Sequence, residues 1–373
     1  MRIVIVGGGM VGMTLAHLLR RRGLEPTVLE RMPAGHYIPR GYMLGFQGYE
    51  SLEEIGVYQE VRDAGRPIAP REGQPPVAVA VRFGALIESL QRDLPIENEL
   101  TVTELITDGI GRVKGVVAEP TPADVLAGVR PPADAGNSGG VGQAEPGAPA
   151  GDRPEGPVSF EADLVVACDG TRSPVREMAG ITAEIDPLPE AALAFMSTVP
   201  ADTSFAMDYM SDGGHIGLLS WNEGSAGWRS CDKVGAEAAL APGLEAIKEM
   251  WARLLPASAS ALPGVASMAQ IRYSEPTLLR CDEWWKPGLA IIGDAAHFFG
   301  PETGVSSGIG LGDAHALAQA IAQNPDDPDA ACHTYETWRA PAVRPYEAND
   351  PGRQRIMLAG STTPGPGERW PPE

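Results

Sequence analysis

The sequence predicts an α/β protein of the doubly wound class, with a second, mixed-sheet domain inserted into the first. Three observations carry this. Arg2 to Glu30 runs through an apolar strand, a glycine-rich turn, a helix and a second apolar strand within about thirty residues. Leu164 to Ala167 and Gly288 to Ile292 repeat the short apolar runs of parallel strands buried on both faces. Between Arg176 and Trp285, short alternating segments are separated by Gly and Asp turns, the pattern of a mixed sheet. At 373 residues the chain can bury a separate core in each unit.

Arg2 to Val6 is β-branched and strand-length, and Met10 to Arg22 has helical periodicity with a basic last turn and Gly23 as C-cap. Ile3 to Leu19 is uncharged and imitates an export signal or short membrane span. Gly7-Gly8-Gly9 in its middle would cost a helix about 1 kcal/mol per residue relative to Ala, so the stretch reads as a folded βα unit. Pro26 to Glu30 is the second parallel strand. Residues 49 to 64 and Arg82 to Gln91 read as helical, and Glu99 to Ala118 as strands joined at Asp108-Gly109.

From Glu119 to Pro157 the chain turns to Pro, Gly, Ala, Asp and Glu, a composition that buries too little surface to offset its ordering entropy. It reads as a mobile low-complexity insertion, residues 119–157, in a hairpin between Val113–Ala118 and Val158–Ala167. Gly288 to Ile292 returns to a buried strand, Gly304 to Ala322 and Tyr335 to Ala348 to helices, and residues 360–373 read as an unstructured tail. The expected units are residues 1–180 with 286–350, and residues 181–285 inserted between them.

The net charge of −20 lies along the chain with no basic stripe, which excludes nucleic acid and anionic membranes as natural partners. Cys168, Cys231, Cys281 and Cys332 lack the spacing of a zinc site or a disulfide framework, and reduced thiols point to the cytoplasm. Oligomeric state is not legible.

Gly7, Gly9 and Gly12 form GxGxxG after a strand and at a helix start, with Glu30 ending the next strand. The glycines permit a tight turn and close backbone approach to a pyrophosphate, the helix N-terminus attracts phosphate, and Glu30 can accept from a ribose. This predicts a dinucleotide without separating NAD from FAD.

Two further motifs narrow the choice. Leu164-Val165-Val166-Ala167-Cys168-Asp169-Gly170-Thr171-Arg172-Ser173-Pro174-Val175-Arg176 resembles the DG fingerprint of the flavoprotein aromatic hydroxylases, the para-hydroxybenzoate hydroxylase family. Gly293-Asp294-Ala295-Ala296-His297, with Pro301, Gly304 and Asp313, resembles the same family's GD motif. The resemblance implies a Rossmann-like FAD-binding domain and noncovalent FAD held by Gly7, Gly9, Gly12, Glu30, Arg31, Asp169 and Asp294, with Asp294 on the ribitol. It implies Arg40 and Arg82 near the flavin and its pyrophosphate, and Pro301, Gly304, Val305, Ser306 and Ser307 in the flavin-contacting loop. The helix after that loop would aim its positive end at the flavin pyrimidine. The implied reaction is hydride transfer from NADH or NADPH, reaction of reduced flavin with O2 to a C4a-hydroperoxide, and delivery of one oxygen to a small, aromatic or polycyclic organic substrate. With no second GxGxxG, the nicotinamide cofactor would visit transiently.

The chain departs from the family at Gly304-Val305-Ser306-Ser307-Gly308, where Gly-Gln-Gly-x-Asn is usual; capping is the favoured role of the serines. That change keeps open a non-oxygenating FAD enzyme, a reductase, dehydrogenase or cyclase, beside the monooxygenase. A flavin-binding protein without turnover is a third reading. His297 reads as a packed, hydrogen-bonded residue. No catalytic residue is fixed by the sequence; Tyr209, His215 and Tyr273, with Trp221, are the polar-tipped candidates for a pocket shared with Tyr42 to Phe46.

Overall fold

The computed structural model describes residues 1–37, 40–44, 49–69, 76, 78–129, 154–300 and 306–347. Its central sheet runs Ile96–Asn98, Thr27–Glu30, Ile3–Val6, Leu164–Ala167 and Leu289–Ile291 in parallel, with Trp285–Lys286 antiparallel at the edge. Ile3–Val6 and Leu164–Ala167 are buried at every position, as strands covered on both faces must be. The helices Met10–Arg21 and Ser306–Gln323 pack on each other, and the last helix, Pro328–Glu347, packs on Ser306–Gln323. Predicted strands and helices are thus present here, with the last helix starting seven residues before Tyr335.

A second sheet pairs Leu100–Thr107, Val113–Pro120 and Val158–Glu161. The insertion leaves from it, and its first part differs from the expected mobile loop. Thr121 N–H donates to Glu99 O (2.8 Å), and Ala123–Val129 is a helix with Leu126 buried. One well-placed leucine anchors a segment whose average composition is that of a loop. Residues 130–153 of the insertion and the 360–373 tail lie outside the described residues.

The inserted domain is a five-stranded antiparallel sheet ordered Phe205–Tyr209, His215–Trp221, Gly224–Asp232, Glu190–Ser197 and Ile271–Ser274. Strand alternation divides its faces. Ala191, Leu193 and Phe195 pack with Ile247 and Trp251 beneath the helices Lys233–Leu240 and Leu244–Leu254. Phe195 and Trp251 meet edge to face, centroids 5.1 Å apart. The opposite face presents Leu219, Phe205 and Trp228 to Ile68, Ala78, Ala80 and Met43.

Those partners belong to a small sheet of Gly41–Leu44, Ala78–Arg82 and Arg66–Ile68 that the sequence reading did not anticipate. It lies against the inserted domain: a Cβ on Gly41 would fall 2.7 Å from the Trp221 ring. Arg66 ties the two sheets, donating to Ala201 O (2.6 Å) and Ser220 Oγ (2.9 Å). A third connection, Ala183–Pro187 with Thr277–Cys281 and His297–Phe298, joins the inserted domain to the turn after Leu289–Ile291.

Candidate cofactor and substrate site

Gly7, Gly9 and Gly12 meet their steric demands differently. Gly7 holds φ +111°, and a Cβ there would lie 2.4 Å from Cys168 O. A Cβ on Gly12 would lie 2.0 Å from Gly7 O. Gly9, the N-cap of Met10–Arg21, has an ordinary φ of −76°, and a Cβ there meets nothing within 4 Å. The fold itself therefore requires Gly7 and Gly12, while Gly9 leaves the approach to the helix N-terminus open. Glu30 accepts Gly8 N–H through Oε2 (2.7 Å) and Met32 N–H through Oε1 (2.8 Å), which fixes its carboxylate beside the glycine turn. Arg31 is exposed beyond it.

The DG and GD turns follow the neighbouring parallel strands Leu164–Ala167 and Leu289–Ile291, at the carboxyl edge where such sheets bind ligands. Asp169 Oδ2 accepts Val175 N–H (3.3 Å), while Oδ1 is buried with no partner among the described residues. Burial raises the Asp169 carboxyl above its ordinary value. Arg176 braces the two turns, donating to Ala295 O (3.0 Å) and Thr171 O (3.1 Å).

Gly293 carries φ +59°, and its N–H donates to Asp313 Oδ2 (3.0 Å). Asp313 also accepts His297 Nε2 (2.7 Å) and, through Oδ1, Arg339 Nε (2.8 Å) from the last helix. Burial alone would raise Asp313, but His297 and Arg339 hold its carboxyl below the ordinary range. His297 is fully buried and stacks on Phe299, as the sequence reading of a packed histidine expects. Asp294 projects from the same turn. Burial raises its carboxyl, with Arg40 and His297 pulling the other way.

Arg40 lies with its guanidinium 4.0 Å from the Phe83 ring centroid. Two residues on, in the strand Gly41–Leu44, Tyr42 hydrogen-bonds Ser307, and burial pushes its phenol up to about 12. Ser306 Oγ accepts Phe299 N–H (3.3 Å). The two serines thus tie the start of the 306–323 helix to Tyr42 and to Phe299. Arg40, Tyr42, Cys168, Asp169 and Asp294 all keep accessible surface although burial shifts each of them, as residues lining a groove do. Pro301, Gly304 and Val305 lie outside the described residues. Arg82 caps the Phe83–Gln91 helix and is held by Glu88, at 3.0 Å through both oxygens, and by the Tyr37 hydroxyl.

The residues fit FAD: an open helix N-terminus at Gly9, an orphaned Asp169 oxygen, and a carboxylate from each of Glu30 and Asp294, all at the carboxyl edge of one parallel sheet. A model of the FAD binding domain matches residues 1–75 and 142–350. The chain belongs to the FAD-binding family of the flavoprotein aromatic hydroxylases. Within this family, it is 25% identical over 361 residues to the 2-heptyl-3-hydroxy-4(1H)-quinolone synthase of Mycobacteroides abscessus, covering 96% of this chain and 90% of that protein. It is 26% identical over 377 residues to the rifampicin monooxygenase of Streptomyces venezuelae, covering 98% and 72%. Its fold resembles PqsL of Pseudomonas aeruginosa, a probable FAD-dependent monooxygenase, at a TM-score of 0.72 and 18% identity over 96% and 99% of the two chains. It likewise resembles 2-methyl-3-hydroxypyridine-5-carboxylic acid oxygenase, at 0.71 and 18% over 98% and 94%.

The proposed pocket residues separate. Tyr273 pairs with Leu193, whose side chain lies under the helices, so Tyr273 is on the face turned away from the FAD-binding domain, its hydroxyl donating to Glu275 (3.0 Å). Tyr209 is exposed on an edge strand, Trp221 is buried against Gly41, and His215 is buried on the face turned toward the FAD-binding domain. Phe46 lies outside the described residues. Arg176 and Arg339 are the site-building residues that sequence spacing did not assign a role, and of the two only Arg176 carried a signal, its place at the end of the DG run.

Proposed function

We propose that the protein is an FAD-dependent monooxygenase that uses NADH or NADPH and O2 to oxygenate a small aromatic or polycyclic organic substrate. The observation that carries this reading is that Arg40, Asp294 and the Tyr42–Ser307 pair cluster at the carboxyl edge of the parallel sheet, where Asp169 follows the neighbouring strand. The relatives' names as monooxygenases and hydroxylases support it.

Bound FAD supplies electron transfer from the nicotinamide to O2 and the transfer of one oxygen atom to the substrate. The N-terminus of Met10–Arg21 would hold the pyrophosphate, Glu30 a ribose hydroxyl, and Asp294 a ribitol hydroxyl. Arg40 balances the charge of Asp294. Leu219, Trp228 and Phe205 pack with Ile68, Ala78 and Ala80, an apolar seam that joins the inserted domain to the FAD-binding domain. The substrate contacts are assigned to residues 181–285 together with the face around Tyr42 to Phe46, and the FAD contacts to residues 1–180 and 286–350. No helix among the described residues is long and apolar enough to cross a membrane. We place it in the cytoplasm, where thiols such as those of Cys168, Cys231 and Cys332 stay reduced.

The test is turnover of the FAD-loaded protein with NADH or NADPH under isotopically labelled O2 and a panel of phenols and quinolones. One labelled oxygen per product molecule is expected. A bound flavin that neither nicotinamide reduces, with or without these compounds, overturns the reading.

A further inference from the structure

The face of the inserted sheet that meets Ile68, Ala78 and Ala80 also carries His215. Along His215–Trp221, residues 215, 217, 219 and 221 share this face, because Ile216 and Leu218 belong to the core under the helices. Across the sheet, His215 pairs with Tyr209 on the edge strand. On its other side lies Ser230, followed in register by Ala192 and Ser274. This row is small and hydroxylic beside the apolar patch of Leu219 and Trp228.

His215 is 8% exposed. Ser230 Oγ accepts the His215 backbone N–H (3.1 Å) and lies 2.7 Å from Nδ1. A hydroxyl has one hydrogen to give, and Nδ1 is the acceptor the structure offers it. The Ser230 hydroxyl therefore donates to Nδ1, which leaves the ring proton on Nε2. Nε2 is buried and has no partner among the described residues. Burial lowers the pKa of the ring and no charged side chain acts on it, so it stays neutral. Folded proteins rarely leave such a donor unused, and a ligand acceptor is one explanation for it.

We propose that His215 is a substrate-recognition residue, its Nε2–H, set by Ser230, donating to the uncharged carbonyl oxygen of a flat aromatic substrate on this face. A neutral donor among apolar groups does not compensate a carboxylate for lost hydration, so the carbonyl is favoured over the anion. Because Nε2 is covered, a neighbouring side chain must move to admit the substrate. The location rests on the monooxygenase reading; the donor chemistry rests on His215 and Ser230.

The test titrates the FAD-loaded protein with quinolin-4(1H)-one, quinoline and quinoline-4-carboxylate, following the flavin absorbance. The quinolone is expected to bind about tenfold more tightly than quinoline, the worth of one buried hydrogen bond. His215→Gln, which keeps a donor, retains that preference to within about threefold, and His215→Phe abolishes it while quinoline binding is unchanged. Ser230→Ala, which releases the tautomer, reduces it. Preference that survives in both His215→Phe and Ser230→Ala overturns the proposal, as does tightest binding by the carboxylate or no response to any of the three. Should His215→Phe fail to fold, nitrogen NMR of the wild-type ring decides together with Ser230→Ala: a proton on Nδ1 overturns it. Failure of the monooxygenase reading looks different, as a protein that does not hold FAD or whose flavin no nicotinamide reduces.

Discussion

Arg339 Nε and Asp313 Oδ1 form an ion pair at 2.8 Å that is almost wholly buried, linking the last helix to the turn that carries Asp294. The same guanidinium donates to Ile309 O (3.1 Å), and the lack of a side chain at Gly312 leaves it room, since a Cβ there would come within 2.9 Å. Asp313 then holds Gly293 N–H and His297. A charge pair far from the flavin-binding glycines in sequence thus sets the geometry of the GD turn.

Arg339→Met should therefore be severe. It leaves the Asp313 carboxylate buried with only His297 and one amide, and removing one partner of a buried pair costs about 3–5 kcal/mol. Thermal denaturation should show a clearly lowered Tm in the apoprotein. The double variant Arg339→Met/Asp313→Asn should recover part of the loss because no charge is stranded. A single variant as stable as wild type would show that the pair does not brace the turn.

Asp169 should behave in the opposite sense. Burial raises its folded-state pKa above the unfolded value, so ionisation opposes folding. The deficit is absent below the ordinary carboxylate value of about 3.9, grows as pH rises through the window up to the raised folded value, and is complete above it. Asp169→Asn should stabilise the apoprotein by about 1 kcal/mol at pH 7.5, with the gain shrinking as pH falls, and should weaken FAD retention. Denaturant melts of both proteins at several pH values check the sign; a variant less stable at every pH contradicts it.

The parts of the site legible in the sequence are those whose chemistry is local. Gly7, Gly9 and Gly12 serve one turn, Glu30 ends a strand, and Asp169 and Asp294 sit in the turns after two further strands of the same sheet, so spacing and strand pattern suffice to place them. The Arg339–Asp313 and Tyr42–Ser307 contacts join segments far apart in the chain, and no periodicity announces them. Tyr273 shows a different limit. An alternating strand reveals two faces but not which one meets the other domain, and a one-residue change of phase exchanges them. The Ala123–Val129 helix was hidden because composition averaged over Glu119–Pro157 conceals the single anchoring Leu126.

Asp294 separates charge from hydrogen-bonding capacity. Asp294→Ala removes both oxygens of this carboxylate and leaves Arg40 without its partner charge, whereas Asp294→Asn keeps one oxygen for the ribitol. Loss of a hydrogen bond to a charged group is worth about 1.5–3 kcal/mol, so FAD should bind at least about tenfold more weakly to the alanine variant, with asparagine between. Flavin fluorescence during titration of the apoproteins measures this. Equal FAD occupancy in wild type and Asp294→Ala would remove the carboxylate from the assignment.

The glycine motif allows the fold and the ligand to be tested apart. At Gly12 an added methyl group would sit 2.0 Å from Gly7 O, a backbone atom that cannot swing away, so Gly12→Ala should cost the apoprotein about 1–3 kcal/mol or more. Gly9 has a φ of −76° that alanine adopts readily, and its added methyl group meets no protein atom within 4 Å. Gly9→Ala should therefore leave apoprotein stability within about 0.5 kcal/mol of wild type. It should nonetheless weaken FAD binding about tenfold or more, because the methyl group stands where the pyrophosphate must approach the helix N-terminus. Tm of the apoproteins and FAD titration, read side by side, distinguish the two roles. If Gly9→Ala binds FAD as wild type does, the pyrophosphate does not approach at Gly9; if it destabilises the apoprotein as much as Gly12→Ala, the glycine serves the fold instead.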